Sequence, residues 1–322
     1  MELTDRIESE ERQIGSIGTP DIKYDSLNNR VKGFAGEGDD LLVVENFSTA
    51  QRLQDYVDYA IIIAQQENAT RITLRTITTD PGLLQGIRNA DIEAVVPFTF
   101  DGTELSMVYL GRNNPSRLTP GILFERQSEM YQQIIARDPR ESRVQVSPEY
   151  LVEMLESPSD EEVRDVITLM EEVYSRDGEV IMWYTPTVED VRLLLEDSTT
   201  YVARHLGNIV SMCVAEVSRL KIFGETVNIY EVSDCATSLE HRGQGLIQAC
   251  AQGVLDDIRG ADIIYNESRV AHTPIIRAMR NLGFIGDGIL RNHVKIGGDR
   301  DLPEISDIES LAVMYIRSEN DS

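Results

Sequence analysis

The hydrophobic pattern of this chain runs through one order of elements twice, and that recurrence restricts the fold more than any single residue does. From residue 40, DLLVVENF is a short apolar run with the character of a buried strand, and STAQRLQDYVDYAIIIAQQ repeats its apolar positions at helical spacing. TRITLRTI alternates as a half-buried strand does, and DPGLLQGIRNA reads as a short helix. DIEAVVPFTF and TELSMVYLG then flank Asp101 and Gly102, a pair suited to a tight hairpin. From 226 to 316 the order strand, helix, strand, helix, strand, strand returns: TVNIYEVSDCATS, a helix over 244–258, ADIIYNES, TPIIRAMRNLGF, and strands at GILRNHVKI and LAVMYIRS. The fold class is therefore α/β, and the recurrence points to two copies of one half-fold.

The intervening segments fix the expected boundaries. Residues 1–35 are polar and read as an arm or short hairpin, 36–112 form the first α/β unit, and 113–146, rich in Arg, Pro and Asn with one helical stretch, form a connector. The second unit spans 147–322. In it, Ser159 and Glu162 make a capping box ahead of Val163, Val166, Ile167, Met170 and Val173, which predicts a helix over 160–176. A second short helix follows Pro186, and TTYVARHL and NIVSMCVAEVSRL are strands.

Charge removes several function classes. A formal net charge of −25, with only Lys23, Lys32, Lys221 and Lys295 as lysines, makes nucleic acid a poor partner. An acidic, lysine-poor surface also resembles those of proteins adapted to concentrated salt, where screening weakens self-repulsion. No apolar run approaches the roughly eighteen residues of a membrane span, and MELTDRIESEERQIG is too acidic for a targeting peptide, so a cytoplasmic protein with no membrane partner is expected. Cys213, Cys235 and Cys250 lack metal-binding spacing, His205, His241, His272 and His293 are scattered, and no metal is expected.

The second copy carries something the first lacks. Its strand-to-helix join reads Arg242, Gly243, Gln244, Gly245, whereas the equivalent join, VVENFSTAQRLQ, has no glycine. Glycines at such a join let the backbone approach a ligand, and the amides and dipole of the following helix favour an anion. Arg242 adds a full positive charge, so a phosphate or pyrophosphate is the natural occupant. The spacing is neither G-x-x-x-x-G-K-[ST] nor G-x-G-x-x-G.

LEHRGQGLI resembles the acyl-CoA pyrophosphate loop of the GNAT superfamily of N-acetyltransferases, Q/R-x-x-G-x-G/A. Arg242 and Gly245 match its first two fixed positions and Ile247 departs from the third; AMRNLGF is similar to the usual end of that superfamily's last helix. YEVSDCATSLEHRGQGL, NLGFIGDGILRNHVKIGG and ESLAVMYI, with SLNNRV and AVVPFTFDGTE in the first half, resemble the β-lysine N-acetyltransferase family, which makes the compatible solute Nε-acetyl-β-lysine in salt-stressed methanogenic archaea. The resemblance implies a GNAT fold, a mixed and mostly antiparallel sheet flanked by helices, preceded by a degenerate GNAT-like half-domain. It further implies acetyl-CoA as co-substrate, a small-molecule amine as partner, and direct transfer between them. An acetyltransferase for another amine (polyamine, lysine or peptide) and a catalytically silent acetyl-CoA sensor remain alternatives. A homodimer stays open.

The chemistry assigns roles to residues. A side-chain ammonium of pKa about 10.4 must lose a proton before it attacks a thioester, so a base is required. By resemblance this is Glu231, four residues before Cys235-Ala236; Asp234 is the rival, and strand alternation puts the two on opposite faces unless a bulge intervenes. Cofactor contacts implied by the motif are Cys235, Ala236 and Thr237 along the pantetheine arm, Arg242, Gly243, Gln244, Gly245 and Leu246 at the pyrophosphate, and His272. An amide near Ala236 or Thr237 would serve the oxyanion. Met279 occupies the position where many relatives have a tyrosine acid, and Arg277 with Arg280 are further phosphate candidates. Cys235 as a nucleophile has no motif-linked histidine and reads instead as a packing residue. For a substrate with two ammonium groups and a carboxylate, the candidates are Tyr230, Asn266, Glu267, Asn292 and His293, the last four expected at the ends of two strands flanking the cleft.

Overall fold

The computed structural model describes residues 71–113, 121–137, 144–176, 187–222, 225–295 and 308–317, together with 21–22, 31–34, 40–46, 54, 57–58, 61 and 179–180. The strands of the first half are β1 (Asp21–Ile22), β2 (Val31–Phe34), β3 (Asp40–Asn46), β4 (Arg71–Thr78), β5 (Asp91–Phe100) and β6 (Thr103–Asn113). Helix α1 (Gly121–Ile135) lies in the expected connector and leads to β7 (Tyr150–Met154), a strand the sequence reading lacks. Next come α2 (Asp160–Val173), the two-residue strands β8 (Ser175–Arg176) and β9 (Glu179–Val180), α3 (Val188–Asp197), β10 (Ser198–His205), β11 (Asn208–Ile222) and β12 (Glu225–Thr237). Helix α4 (Leu246–Asp257), β13 (Ile263–Arg269), α5 (Thr273–Asn281), β14 (Ile285–Lys295) and β15 (Ile308–Ile316) complete the elements among the described residues.

Two sheets share one strand order. Among the described residues the first runs β1-β2-β3-β4-β6-β5, and the second runs β14-β15-β13-β12-β11-β10-β7. Taken from β10, the second sheet repeats the first strand for strand, with one parallel pair in each: β3 with β4, and β12 with β13. The recurrence thus takes in two more strands per copy than the hydrophobic pattern reveals. The helix expected over 48–66 lies mostly outside the described residues, though Gln54, Val57, Asp58 and Ile61 are helical. The short helix expected in DPGLLQGIRNA is a 3-10 helix, Pro81–Gly86; Asp80 caps it by accepting from the Gly82 amide at 2.8 Å.

Local chemistry sets the ends of the elements. Asp101 and Gly102 turn the β5–β6 hairpin with φ of 48° and 70°. Ser159 and Glu162 form the expected capping box at α2, and Thr187 with Asp190 form a second at α3.

The second sheet is covered on both faces. One carries α1, α4 and α5, with Tyr131, Val232, Leu246, Val254, Ile276 and Phe284 in its core. The other is shared: α2 and α3 pack over Val202, Met212 and Val214, while the first sheet packs over Val227, Ile229, Tyr265, Leu311 and Val313 with Ile77, Val96, Phe98 and Met107. The two halves are therefore joined by a core. Within the first sheet Arg71 and Glu93 form a buried ion pair, their side chains 0% and 4% exposed, and both reach β14, Arg71 donating to the Arg291 carbonyl and Glu93 accepting from the Arg291 amide at 3.1 Å. Arg71 also donates from Nε to Thr73 and to Nδ1 of His293, both at 3.1 Å. A Cβ on Gly288 would lie 2.1 Å from the Glu93 carbonyl oxygen, so β14 approaches β5 only because that position is bare.

Candidate active site

The parallel pair β12 and β13 holds together for only three positions, Ile229 with Ile263 to Glu231 with Tyr265, although both strands continue. Beyond that point they part, and the Asn266 side-chain amide bridges the start of the gap by donating to the Val232 carbonyl at 2.6 Å. On its other edge β12 carries a bulge: Ser233 pairs with Val214 and Ala236 with Met212, so Asp234 and Cys235 stand against Cys213 alone. Asp234 has φ of 43°. The bulge reverses the alternation, since Val232 faces the α4–α5 core but Ala236 packs into the α2–α3 core. A strict-alternation argument for the directions of Glu231 and Asp234 consequently fails at Asp234 itself.

At the end of β12 the chain makes one 3-10 turn, Leu239–His241, pinned by Glu172, which accepts from the Ser238 hydroxyl and the Leu239 amide at 2.9 Å each. Gly243 and Gly245 then take left-handed φ values of 78° and 76°, and α4 begins at Leu246 with no side chain capping its amides. A Cβ on Gly245 would meet Val144 Cγ1 at 2.5 Å; nothing lies within 4 Å of one on Gly243. The turn thus leaves uncapped first-turn amides beside Arg242, a donor set and charge that fit a pyrophosphate. His205 and His241, unrelated in the sequence, meet beside this turn with ring centroids 4.9 Å apart, and Tyr150 Oη lies 3.0 Å from His241 Nδ1.

Residues 155–271 match the family described as an acetyltransferase (GNAT) domain. Residues 155–271 are a GNAT acetyltransferase domain. No curated protein sequence matches the chain. Similar solved structures include the ribosomal-protein-alanine N-acetyltransferase from Brucella melitensis (15% identity, 51% of this chain and 98% of that one, TM-score 0.39). Two others are an acetyltransferase of the GNAT family from Streptococcus pneumoniae (13%, 52% and 98%, 0.41) and an aminoglycoside acetyltransferase from an uncultured soil metagenomic sample (25%, 42% and 90%, 0.33).

Where the GNAT domain's parallel strands begin to part, two carboxylates lie on the face turned to the first sheet. Glu231 is on β12 with its side chain 29% exposed, and Glu267 on β13 with 11%. The Tyr265 hydroxyl donates to Glu231 Oε2, and Tyr109 donates to Glu267 Oε1 at 2.9 Å. Arg75 donates to the Tyr265 oxygen, lies 4.0 Å from Glu231 Oε2, and stands 5.5 and 5.3 Å from the ring centroids of Tyr109 and Tyr265. Burial, and then the charge of Glu231, push the Glu267 carboxyl up to about 7 against the pull of Arg75. Glu216 is directly opposite Glu231 on β11 and accepts from the Ser233 hydroxyl at 2.9 Å.

The other sequence candidates divide clearly. His293 Nε2 is 4.0 Å from Glu267 Oε2, at the margin of the acidic pair. Tyr230 instead packs with the α4–α5 core, and Asn266 is buried and tied to Val232. Asn292 is buried with φ of 50°, its amide donating to Ser310 Oγ. The expected geometry for these residues needs correction, because β15 lies between β13 and β14 and Asn266 and Glu267 sit mid-strand. His272 is the N-cap residue of α5; Arg277 is exposed and Arg280 donates to the Phe284 carbonyl at 3.3 Å. Met279 is fully buried in the core, and Cys235 Sγ lies 3.4 Å from Cys213 Sγ.

Arg75, Tyr109 and Tyr265 were missed in the sequence. The signal for Arg75 was present, an arginine on the polar side of the alternating strand TRITLRTI, but a polar strand face ordinarily reads as solvent-exposed. Here that side meets the second sheet.

Proposed function

We propose that this acetyltransferase moves the acetyl group of acetyl-CoA to the terminal amine of a small diamino acid, β-lysine, yielding Nε-acetyl-β-lysine. Glu231 is the base. The observation that carries this reading is the position of its carboxylate at the last paired residue of β12, where the strands part and a thioester carried along the gap would arrive. The substrate ammonium gives one proton to Glu231; the neutral nitrogen then attacks the thioester carbonyl. As the tetrahedral centre collapses, the N–C bond is kept and the C–S bond breaks. The nitrogen releases its second proton to water, and the thiolate leaves to be protonated by solvent, since Met279 offers no acid. An amide near Ala236 or Thr237 stabilises the oxyanion.

Asp234 is the rival base, at the bulge, and the amides from Gly243 to Leu246 hold the pyrophosphate with Arg242. Glu267, with Glu216 nearby, favours an acceptor that carries a second positive charge, as β-lysine does; a polyamine, lysine or a peptide amine would satisfy the same carboxylates less specifically. The acidic composition supports work in concentrated salt, where a compatible solute is needed. The test is thiol release at high salt with β-lysine, α-lysine, spermidine and a peptide as separate acceptors. Release with β-lysine alone, acetylated at its terminal amine, is the expected result. Activity on peptides but not on small diamines rejects the substrate, and binding of acetyl-CoA without turnover on any acceptor favours a sensor.

A further inference from the structure

We propose that the first half of the chain is a working part of the acceptor site, with Arg75 acting as a positioning residue that orients the Glu231 carboxylate through the Tyr265 hydroxyl and sets a cation beside it. This rests on Glu231 being the base.

Burying a charge is costly unless it is paired. Arg75 is mid-strand in β4 with its side chain only 13% exposed, and a guanidinium there requires compensating partners. Its ion-pair partner among the described residues, Glu231, and the hydroxyl it donates to, on Tyr265, both belong to the GNAT domain. The registers align the two pairs: Arg75 is opposite Tyr109 across β4 and β6, and Glu231 is beside Tyr265 across β12 and β13. Arg75 and Ile77 share a strand side, and Ile77 lies in the core between the sheets.

The direction of the hydrogen bonds then matters. A guanidinium only donates, so the Tyr265 oxygen accepts from Arg75 and its single proton goes to Glu231 Oε2. That chain ends on a carboxylate oxygen that accepts. Among the described residues no donor reaches Oε1, which leaves this oxygen to take the substrate's proton. The other acidic groups on this face are Glu267 on β13, itself tied to Tyr109 on β6, and Glu216 opposite on β11. Arg75 is the cation that offsets them.

The test measures kcat/KM against pH for the full chain and for Arg75→Met, Arg75→Lys, Tyr265→Phe and Glu231→Gln, with calorimetry of acetyl-CoA binding on each. A purely structural role would leave the acid limb of the profile in place, whereas loss of the cation beside the base should move that limb to higher pH in Arg75→Met. Misplacing the base should lower kcat/KM at neutral pH on the order of tenfold to a hundredfold, with cofactor affinity unchanged. Arg75→Lys should recover the limb, and Tyr265→Phe, which removes one hydroxyl and keeps the ring packing, should shift it the same way as Arg75→Met. An acid limb unmoved in both Arg75→Met and Tyr265→Phe, with Glu231→Gln inactive, overturns this role for Arg75 and leaves the base in place. Full turnover in Glu231→Gln overturns both.

Discussion

The hydroxyl of Tyr109, from the first half of the chain, donates to Oε1 of Glu267, in the GNAT domain, at 2.9 Å. It crosses the joint between the two sheets and reaches the more buried of the two carboxylates. Glu267 sits at about 7 because burial, and then Glu231, oppose its ionisation. A carboxyl whose folded-state pKa is raised contributes stability below its unfolded value of about 4.3, and that contribution is lost as the pH rises through the folded value. Glu267→Gln cannot ionise, so it should gain on the parent between pH 5 and pH 8, by about 2 kcal/mol. Urea unfolding of both proteins at the two pH values measures this; an unchanged difference rejects the buried-carboxyl account.

Gly245 is constrained twice, by its φ of 76° and by Val144, whereas Gly243 is constrained by its φ of 78° alone. Placing an L-residue in the left-handed region costs about 1–2 kcal/mol. Gly245→Ala must also displace Val144 at the start of α4, so its acetyl-CoA affinity should fall by about tenfold or more, and by more than that of Gly243→Ala. Calorimetric titration of the two variants gives the comparison.

Met279, which the resemblance to the superfamily sets at the position of a tyrosine acid, is fully buried. Met279→Tyr should therefore overpack the core, losing roughly 1–3 kcal/mol with no gain in turnover. Thermal unfolding and a rate measurement on one preparation test both parts; a stable variant with a faster rate contradicts them.

The ion pair between Arg71 and Glu93 is buried within the first sheet, and both residues reach β14, Arg71 through His293 and the Arg291 carbonyl and Glu93 through the Arg291 amide. Glu93→Ala leaves a buried guanidinium short of its charge partner and should cost about 3–5 kcal/mol. Equilibrium urea unfolding reads that loss directly.

Much of the architecture could be read before any coordinates. Alternation in TRITLRTI and TELSMVYLG gave the strands, the Ser159–Glu162 box gave α2, and Asp101-Gly102 gave the hairpin, because each rests on local chemistry. The glycine turn was legible for the same reason. Strand β7 was missed because YLVEM is too short and too exposed to carry an alternating signature. The bulge at Asp234 was invisible because two residues against one is a property of the β11–β12 pair, not of either strand's sequence. The site was half legible: Glu231 and Glu267 emerged from the sequence, but Arg75 lies 156 positions before Glu231, and only the packing of one sheet on the other brings them to 4.0 Å.

The most direct measurement is CoA thiol release from acetyl-CoA with β-lysine at high salt, run side by side for the parent chain and Glu231→Gln, each first shown by calorimetry to bind acetyl-CoA. The account predicts release by the parent, loss of at least about a hundredfold in the variant, and equal cofactor affinity. Turnover in the variant equal to that of the parent would contradict the assignment of Glu231 as the base.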